Sequence, residues 1–421
     1  MKTFVPHFPH FSRSYRTTHR ILAGLLWLLA LAPAWGQTVF HNPEYQWVVD
    51  IPVGWEVLDA SHTSIISFSD PERVAVFQVI SFPGDQFVTV QEIDQYIRER
   101  FGAAGNAAPF RFHQDHAIFA DYRFASPRQE GDPIPLRGYM AFINGDEFAH
   151  AVLTFAVEDY YEELHDHLLS ALDSFSMDRD QRLLPGLVSV FSMDGAPGEP
   201  AGHTLTLPSG EEIPLPGVIA SDYHREASQV LIEREARVLQ PHAPQVNEPL
   251  RFAEGHSETA PPWAQAWRRY YRMLYRDNYE RLAPVSEALF HDLARSGVPR
   301  EEMPQAILSW LQGAEYRRTN TLSDLMNPSW CLVDFAGDCD SLGLTYAIIL
   351  DHLGFDAVLM VSLEYAHAMV GIDIPGAGAR FPFDERQWLV AELTAPVALG
   401  QIEASMSDVG GWVGIKLDPT R

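Results

Sequence analysis

The sequence predicts an α+β protein in two parts, and three observations support this prediction. In the N-terminal part, short β-branched and aromatic runs alternate with turn residues, which is typical of antiparallel strands. In the C-terminal part, amphipathic helices come first and the apolar period then drops from 3.6 to 2 residues, which indicates helices followed by strands. Between the two parts, residues 179–262 contain eleven of the thirty prolines, which predicts a stiff linker that either hangs free or wraps along one of the domains.

The composition excludes several classes of protein. The chain has 421 residues, of which 46% are hydrophobic, so it can bury a core and is not disordered as a whole. Its 30 basic and 56 acidic residues give a formal net charge of −26, which argues against nucleic acid or an anionic membrane surface as the partner. The two cysteines cannot build a disulfide scaffold or a zinc site of three or four thiolates, and we predict no metal and no cofactor.

The first 36 residues have the pattern of a secretory signal peptide. Basic residues without any acidic one accompany an apolar run, Ile21–Trp35, and the small residues Ala34 and Gly36 stand just before the predicted cleavage point. The alternative is an uncleaved anchor, but the apolar run is short for a membrane span. The sequence therefore predicts export to the periplasm or the extracellular space, with no membrane span after cleavage.

Residues 37–178 predict an antiparallel sheet with both of its helices on one face, because three predicted strands and a helix are followed by three more strands and a second helix. The hairpin signal Asn144 and Gly145 joins the last two strands of the series. The predicted strands are Tyr45–Ile51, Thr63–Phe68, Val74–Phe82, Ala117–Phe124, Leu136–Ile143 and Phe148–Phe155, and the predicted helices are Thr89–Phe101 and Glu158–Phe175.

This order of elements, together with the motif Ile51–Trp55, in which a strand runs into Ile-Pro-x-Gly-Trp, resembles the PsbP-like fold. The resemblance covers residues 37–178 and implies a small binding scaffold of an exported or lumenal protein. No catalytic cluster is apparent in this part of the chain. His165 and His167 are two positions apart on a predicted helix, so they point to different faces and do not form a metal pair.

The remaining elements follow in the same way from their periodicity. One strong helix, Glu226–Leu239, interrupts the proline-rich linker of residues 179–262. The C-terminal part covers residues 263–421. Its predicted helices are Trp263–Tyr279, Pro284–Ser296, Glu301–Gly313 and Leu342–Leu353, its predicted loop is Asn327–Gly337, and its predicted strands are Ala357–Ser362, Ala366–Ile374 and Trp388–Leu393.

Three polar residues of the C-terminal part occur in the order nucleophile, base and acid. Cys339 falls in the first turn of a buried helix, where the helix N-terminus and an imidazolium can lower the pKa of a thiol. His367 opens one strand, and Glu392 lies on a strand that would pair with it antiparallel through one hairpin. Imidazole and carboxylate would then stand side by side on a sheet, with the thiol in front of them.

The segments that carry these residues resemble the transglutaminase-like superfamily of papain-related enzymes. The matching segments are Gly337–Asp340, His367–Gly371 and Glu392–Thr394. Upstream, Trp310–Tyr316 resembles the superfamily's Val-Gln-x-x-x-Tyr helix end. The resemblance implies a papain/transglutaminase-like domain, built from a helix and an antiparallel sheet, that performs acyl transfer through a thioester.

The resemblance also implies a role for each residue. Cys339 would be the nucleophile, His367 the general base and then acid, and Glu392 the carboxylate that orients His367. The superfamily usually has Asp at the third position, so the longer glutamate needs a different strand offset to reach the imidazole. The Cys339 backbone N–H is the natural oxyanion donor because it is unpaired in a first turn, and Gln312 is the candidate for a second donor.

Other interpretations of the same residues stay open. Asp338 and Asp340 flank the thiol and oppose its ionisation, so we expect them to point away from it or to cap the helix. In an oxidising compartment, Cys331 and Cys339 can form a disulfide, which would block the nucleophile or make it redox-gated. Taken alone, His367 is typical of a core histidine, and only its order with Cys339 and Glu392 indicates a triad.

The sequence thus predicts an exported cysteine peptidase or amidase that hydrolyses a peptide or isopeptide bond. Its partner would be a protein or peptide substrate, and the export signal makes cell-envelope proteins candidates. Two alternatives remain. A protein-glutamine transamidase would share the thioester and differ in the acceptor, and a non-catalytic exported binding protein would carry a vestigial triad.

Overall fold

The structure is a computed structural model, and it describes residues 38–126, 132–177, 183–194, 202–244 and 260–418. The chain divides into two compact units, which are described separately below. The described residues of the first unit are 38–126, 132–177 and 186–194, and those of the second unit are 183–185, 202–244 and 260–418. The predicted signal peptide, residues 1–36, lies outside the described residues.

The first unit is an antiparallel sheet with helices, as the sequence predicts. Its strands are β1 (Val39–Asn42), β2 (Trp47–Asp50), β3 (Glu56–His62), β4 (Ile65–Ser69), β5 (Ala75–Pro83), β6 (Ala104–Phe112), β7 (Asp115–Ser126), β8 (Ile134–Asn144) and β9 (Phe148–Val157). Its helices are α1 (Val90–Phe101), α2 (Tyr161–Asp173) and α3 (Leu187–Met193). β1 and β2 pair with each other, and the larger sheet has the order β3-β4-β5-β9-β8-β7-β6.

Both faces of this larger sheet are covered, so the prediction that both helices lie on one face is wrong. Strand β5 shows the division because its alternate side chains point to opposite faces. Val76 packs in one buried cluster with Ile93 of α1, whereas Phe77 packs in another with Leu168 of α2. The periodicity of a helix shows that it buries one side, but it does not show which face of a sheet receives that side.

The second unit combines helices with a second antiparallel sheet, so the α+β class is confirmed for the whole described chain. Its helices are α4 (Gly217–Ala220), α5 (Asp222–Leu239), α6 (Pro262–Arg295), α7 (Met303–Leu311), α8 (Pro328–Asp334) and α9 (Cys339–His352). Its strands are β10 (Thr204–Thr206), β11 (Glu212–Pro214), β12 (Glu315–Tyr316), β13 (Ala336–Gly337), β14 (Ala357–Ser362), β15 (His367–Ile372), β16 (Arg380–Phe383), β17 (Arg386–Ala391) and β18 (Val413–Lys416).

The main sheet of the second unit packs one face against helix α9. Its strand order is β16-β17-β15-β14-β18, and every neighbouring pair is antiparallel. Leu344 and Ile348 of α9 share a buried cluster with Leu359 of β14 and Val370 of β15, and Leu274 of α6 belongs to the same cluster. Helix α9 is therefore enclosed by apolar side chains, which explains the nearly continuous apolar character of its sequence.

Residues 202–244 belong to this second unit, although the sequence places them in the proline-rich linker. Leu205 of β10 and Ile232 of α5 are buried in the same cluster as Leu344. Helix α5 contains the predicted helix Glu226–Leu239 and begins four residues earlier, at Asp222. Proline stiffness here holds extended segments against a core, and composition alone does not distinguish such segments from a free linker.

Helix α6 is continuous where the sequence predicts two helices. Pro284 lies inside it, at a position where proline removes one backbone hydrogen bond. Leu282 and Leu289, on either side of Pro284, are buried in the same cluster, so packing on both sides offsets that lost bond. No helix in the described part of the chain combines the length and the apolarity that a membrane crossing requires.

Candidate active site

Cys339 is the first residue of helix α9 and is half-buried. Asp338 precedes it in extended conformation and caps the helix, because its carboxylate accepts hydrogen bonds from the Ser341 N–H at 3.1 Å and from the Ser341 hydroxyl. The Cys339 amide has no carbonyl of its own helix to bond. The backbone N–H of Ala368 is among the groups that lower the pKa of the thiol, so the thiol lies near the peptide unit that joins His367 to Ala368.

His367 and Glu392 form a close hydrogen-bonded pair. Nε2 of His367 lies 2.7 Å from Oε2 of Glu392, and the two side chains are only 12% and 10% exposed. The other carboxylate oxygen, Oε1, accepts hydrogen bonds from the backbone N–H and the hydroxyl of Thr394, both at 2.7 Å. With Nε2 donating to the carboxylate, Nδ1 is the nitrogen that remains to accept a proton from a thiol.

The environment keeps Glu392 ionised. Burial by itself raises the pKa of a carboxyl group. The hydrogen bond and the charge of His367, together with the two hydrogen bonds from Thr394, outweigh burial, and the pKa of Glu392 lies below its ordinary value. The carboxylate is therefore available to fix the imidazole and to stabilise its protonated form.

The strand register explains how a glutamate reaches this histidine. Strands β15 and β17 pair antiparallel with Val370 opposite Ala391, which confirms the predicted pairing of the two segments. Continuing that register places Glu392 opposite Met369, two positions beyond His367, so the carboxylate must reach diagonally and the longer side chain allows it. The connection between the two strands contains β16, so the prediction of one simple hairpin is wrong.

The carboxylates around Cys339 oppose its ionisation. Burial raises the pKa of the Cys339 thiol to about 12, the charges of Asp340 and Asp338 act in the same direction, and hydrogen bonds from the backbone N–H groups of Ala368 and Asp340 act against them. Burial and the neighbouring Asp340 also raise the pKa of Asp338 to about 8. Asp340 accepts a hydrogen bond from the Tyr271 hydroxyl at 2.9 Å. The expected capping role of Asp338 is confirmed, and it does not remove the electrostatic opposition.

Replacing Asp340 by asparagine should therefore make Cys339 more reactive. The change removes one negative charge beside the thiol and keeps an amide oxygen that can accept the Tyr271 hydrogen bond. A fall of one unit in the thiol pKa gives about tenfold more thiolate at neutral pH. The rate of alkylation of Cys339 by iodoacetamide, followed as a function of pH, measures the effect. Asp384→Asn, at the exposed ion pair with Lys416, is the matched control. Identical profiles for D340N and wild type would contradict this electrostatic interpretation.

The structure does not support Gln312 as an oxyanion donor. Its side-chain Nε2 donates to the backbone carbonyl oxygens of Glu392 at 2.8 Å and Val397 at 2.9 Å. An amide nitrogen carries two hydrogens, and both are used here. Gln312 instead ties the end of α7 to the loop that follows Glu392. Of the two donors expected from the sequence, only the Cys339 N–H is retained.

Cys331 and Cys339 both have free thiols, so the redox pairing considered for them is not present. Residues 328–334, predicted as part of a loop, form helix α8, which Asn327 caps by accepting the Ser329 N–H at 2.9 Å. This helix directs Cys331 into the core, where it is 1% exposed, and burial raises the pKa of its thiol.

Native protein purified without reductant should consequently take up one alkyl group, at Cys339, since burial protects Cys331. Denatured protein, again without reductant, should take up two. Intact mass before and after alkylation measures both numbers. Failure of the denatured, unreduced protein to take up any alkyl group would show that the two cysteines are paired after all.

Sequence reasoning missed the residues that support the triad. Thr394 holds the second oxygen of Glu392, and its only sequence signal is a hydroxyl residue two positions after the acid. Trp412 lies in the core and is 1% exposed. Its ring centroid also lies 6.3 Å from that of His367, edge to face, so it limits the space open to the imidazole. No sequence motif announces this contact, because 45 residues separate the two positions.

No family model and no curated protein matches the chain. Among solved structures, it is similar to the solution structure of cyanobacterial PsbP (CyanoP) from Synechocystis sp. PCC 6803, with 14% identity over 34% of this chain and 93% of that chain, and a TM-score of 0.28. It is also similar to a crystal structure from Bacteroides thetaiotaomicron VPI-5482 at 1.50 Å resolution, with 9% identity over 49% of this chain and 80% of that chain, and a TM-score of 0.25.

Proposed function

We propose that this protein is an exported cysteine enzyme of the transglutaminase-like kind that hydrolyses a peptide or isopeptide bond through a thioester on Cys339. The observation that supports the proposal most is the 2.7 Å hydrogen bond between His367 and Glu392. Cys339, at the N-terminus of a buried helix, is influenced by the backbone N–H of Ala368, the residue after that histidine. Acyl transfer requires a nucleophile, a base and an orienting acid, and we propose that Cys339, His367 and Glu392 supply them.

Acylation would proceed in two steps. The Cys339 thiol gives its proton to Nδ1 of His367, and Sγ forms a bond to the carbonyl carbon of the substrate amide. The negative charge on the former carbonyl oxygen is stabilised by the Cys339 backbone N–H. The carbon–nitrogen bond then breaks, the imidazolium of His367 gives its proton to the leaving amine, and a thioester remains.

Deacylation would use the same residues in reverse. His367 takes a proton from water as the water oxygen bonds to the thioester carbon. The carbon–sulfur bond breaks, the acid product leaves, and the imidazolium returns its proton to the thiolate. Glu392 stays ionised in both halves, and its role is to orient His367 and to stabilise the imidazolium.

A second candidate function is supported by a specific observation. The thiol pKa is raised to about 12, and the carboxylates of Asp340 and Asp338 contribute to that rise. Such a thiol is nearly all protonated at neutral pH, which suits a non-catalytic binding protein with a vestigial triad. If the protein is an enzyme, transfer of the thiol proton to His367 must overcome the raised pKa of the thiol. Glu392 would favour this transfer by stabilising the imidazolium.

The two units would have different tasks under this proposal. The first unit, whose sequence resembles the PsbP-like binding scaffold, would bind or position a protein substrate, and the second would carry out the chemistry. Export rests on the signal-like pattern of residues 1–36, so the substrate would be a protein or peptide outside the cytoplasm, cell-envelope proteins included.

A peptide library distinguishes hydrolysis from transamidation. The library, rich in glutamine, is incubated with the reduced full chain in the presence and absence of a labelled primary amine, and products are read by mass. Water is always present at high concentration, so a transferase must exclude it, and we expect cleavage of the peptide chain without incorporation of label. Incorporation at glutamine with release of ammonia, and no chain cleavage, would assign the transamidase function instead. C339A is the control for both reactions.

A further inference from the structure

The segment next to the nucleophile has one open backbone edge. Strand β12 runs parallel to β13. The Glu315 N–H donates to the Phe335 carbonyl, and the Arg317 N–H donates to the Gly337 carbonyl, both at 3.0 Å. Successive residues of a strand direct their N–H and C=O groups to opposite sides. Because Glu315 and Arg317 face β13, the N–H and C=O of Tyr316 face away from it.

The outward backbone groups of Tyr316 are not used for hydrogen bonding by any described residue. Within the part of the chain that the structure describes, neither the N–H nor the C=O of Tyr316 has a backbone or side-chain partner. Tyr316 is 57% exposed, which is unusual for an aromatic residue next to a buried helix. An exposed strand edge with an unused donor and acceptor is a template for pairing with another extended chain.

This edge lies close to the reacting thiol. Tyr316 is directly opposite Gly337, and Cys339 follows Gly337 by two residues. Burial raises the pKa of the Tyr316 phenol, and Cys339 and Asp338 raise it further when they are ionised, so the Tyr316 hydroxyl is within electrostatic reach of the thiol. An extended chain advances about 3.3 Å per residue, so a chain held at Tyr316 reaches the thiol within two or three residues.

We propose that Tyr316 is a substrate-binding residue whose backbone N–H and C=O pair with one residue of an extended polypeptide, and that the substrates are therefore extended polypeptide segments and not small amides. Backbone pairing gives affinity without regard to sequence, as in other cases of strand addition. This inference rests on the proposed function, since it places the bound chain beside Cys339 as an acylating substrate.

The test compares two covalent probes on the reduced full chain. One is an acetyl-alanine vinyl sulfone, and the other is an acetylated oligo-alanine vinyl sulfone of several residues. In both, Sγ of Cys339 bonds to the vinyl carbon and the resulting carbanion takes up a proton. Two backbone hydrogen bonds should make the longer probe react about tenfold faster. Methylating the backbone nitrogens of the longer probe should remove most of that gain.

Two variants distinguish the contribution of the Tyr316 backbone N–H from that of its aromatic ring. Tyr316→Pro removes the outward N–H without breaking a bond to β13, because that N–H faces away from the strand. Tyr316→Ala keeps the N–H and removes the ring. Each rate is divided by the rate of the same variant with iodoacetamide, which corrects for altered thiol reactivity. We expect the advantage of the longer probe to fall several-fold in Y316P and to persist in Y316A.

The outcomes distinguish this inference from the function on which it rests. Suppose that Cys339 reacts readily with iodoacetamide. If wild type then reacts with the two vinyl sulfones at the same rate, or if N-methylation does not slow the longer one, the strand-pairing inference is wrong and the enzyme proposal stands. If Cys339 reacts no faster than a model thiol, the proposed function fails and this inference fails with it. The methylated probe is used on wild type, so the test remains decisive if Y316P does not fold.

Discussion

Replacing Cys339 by alanine should abolish amide cleavage, with a loss of at least about 10⁴-fold in kcat/KM. Under the proposed mechanism the sulfur forms the covalent bond to substrate, and no other described residue is placed to replace it. Removing one sulfur atom leaves a small cavity, so the free energy of unfolding should change by no more than about 1 kcal/mol. Cleavage of a peptide identified in the library screen and thermal unfolding measure the two quantities.

The matched control for this experiment is Cys331→Ala. It removes the other thiol of the chain from a fully buried position and should reduce stability while leaving cleavage intact. If C339A cleaved the peptide at the wild-type rate, a thioester on Cys339 would be ruled out.

Replacing His367 by alanine should be nearly as severe, with a loss of about 10³-fold or more. Without the imidazole, no base takes the thiol proton and no acid protonates the leaving amine. Glu392→Gln should retain more activity than H367A. The glutamine amide can still form a hydrogen bond with the imidazole ring, so only the stabilisation of the imidazolium is lost. Single-turnover acylation with a peptide ester and with the corresponding amide separates these roles.

The comparison between ester and amide adds a check on the histidine. An ester leaving group needs less protonation than an amine, so H367A should lose less activity on the ester than on the amide. Equal losses on both substrates would mean that His367 does not act as the acid for the leaving amine, and E392Q falling below H367A would contradict a purely orienting role for Glu392.

The secondary-structure positions of Cys339 and His367, and the pairing of the strands that lead to His367 and Glu392, could be predicted from sequence because local signals mark them. The Asp338 cap fixes where α9 begins, and that cap places Cys339 in the first turn. The change from helical to alternating period marks the strands that hold His367 and the approach to Glu392. Once two strands pair antiparallel, side chains near their ends become neighbours regardless of the loop between them.

The partners of Gln312 could not be predicted in this way. The motif places it near the site, but its two acceptors, the carbonyls of Glu392 and Val397, come from a loop about 80 positions later, and they are fixed only by tertiary packing. The same limit applies to Trp412 and to the Tyr271 hydroxyl on Asp340. Motif spacing indicates candidate site residues more readily than it indicates which residues hold them in place.

The arrangement of the first unit could be predicted only in part. Strand β6 is absent from the predicted elements because Ala104–Pro109 lacks the β-branched and aromatic residues that mark strands, and its conformation depends on pairing with β7. The placement of α1 and α2 on opposite faces depends on β5 being apolar on both sides. A run such as Val74–Phe82 gives no period from which one exposed face could be inferred.

Under the proposed mechanism Cys339 is a reactive nucleophile, and its rate of alkylation is the direct measure of that reactivity. Two effects oppose each other in the site: the carboxylates of Asp338 and Asp340 disfavour the thiolate, and proton transfer to His367, supported by Glu392, favours it. The measurement is the second-order rate of iodoacetamide alkylation of Cys339 near neutral pH, in folded, reduced protein, relative to a model thiol. We expect fast, stoichiometric labelling that H367A slows. Labelling no faster than the model thiol, and insensitive to H367A, would contradict it.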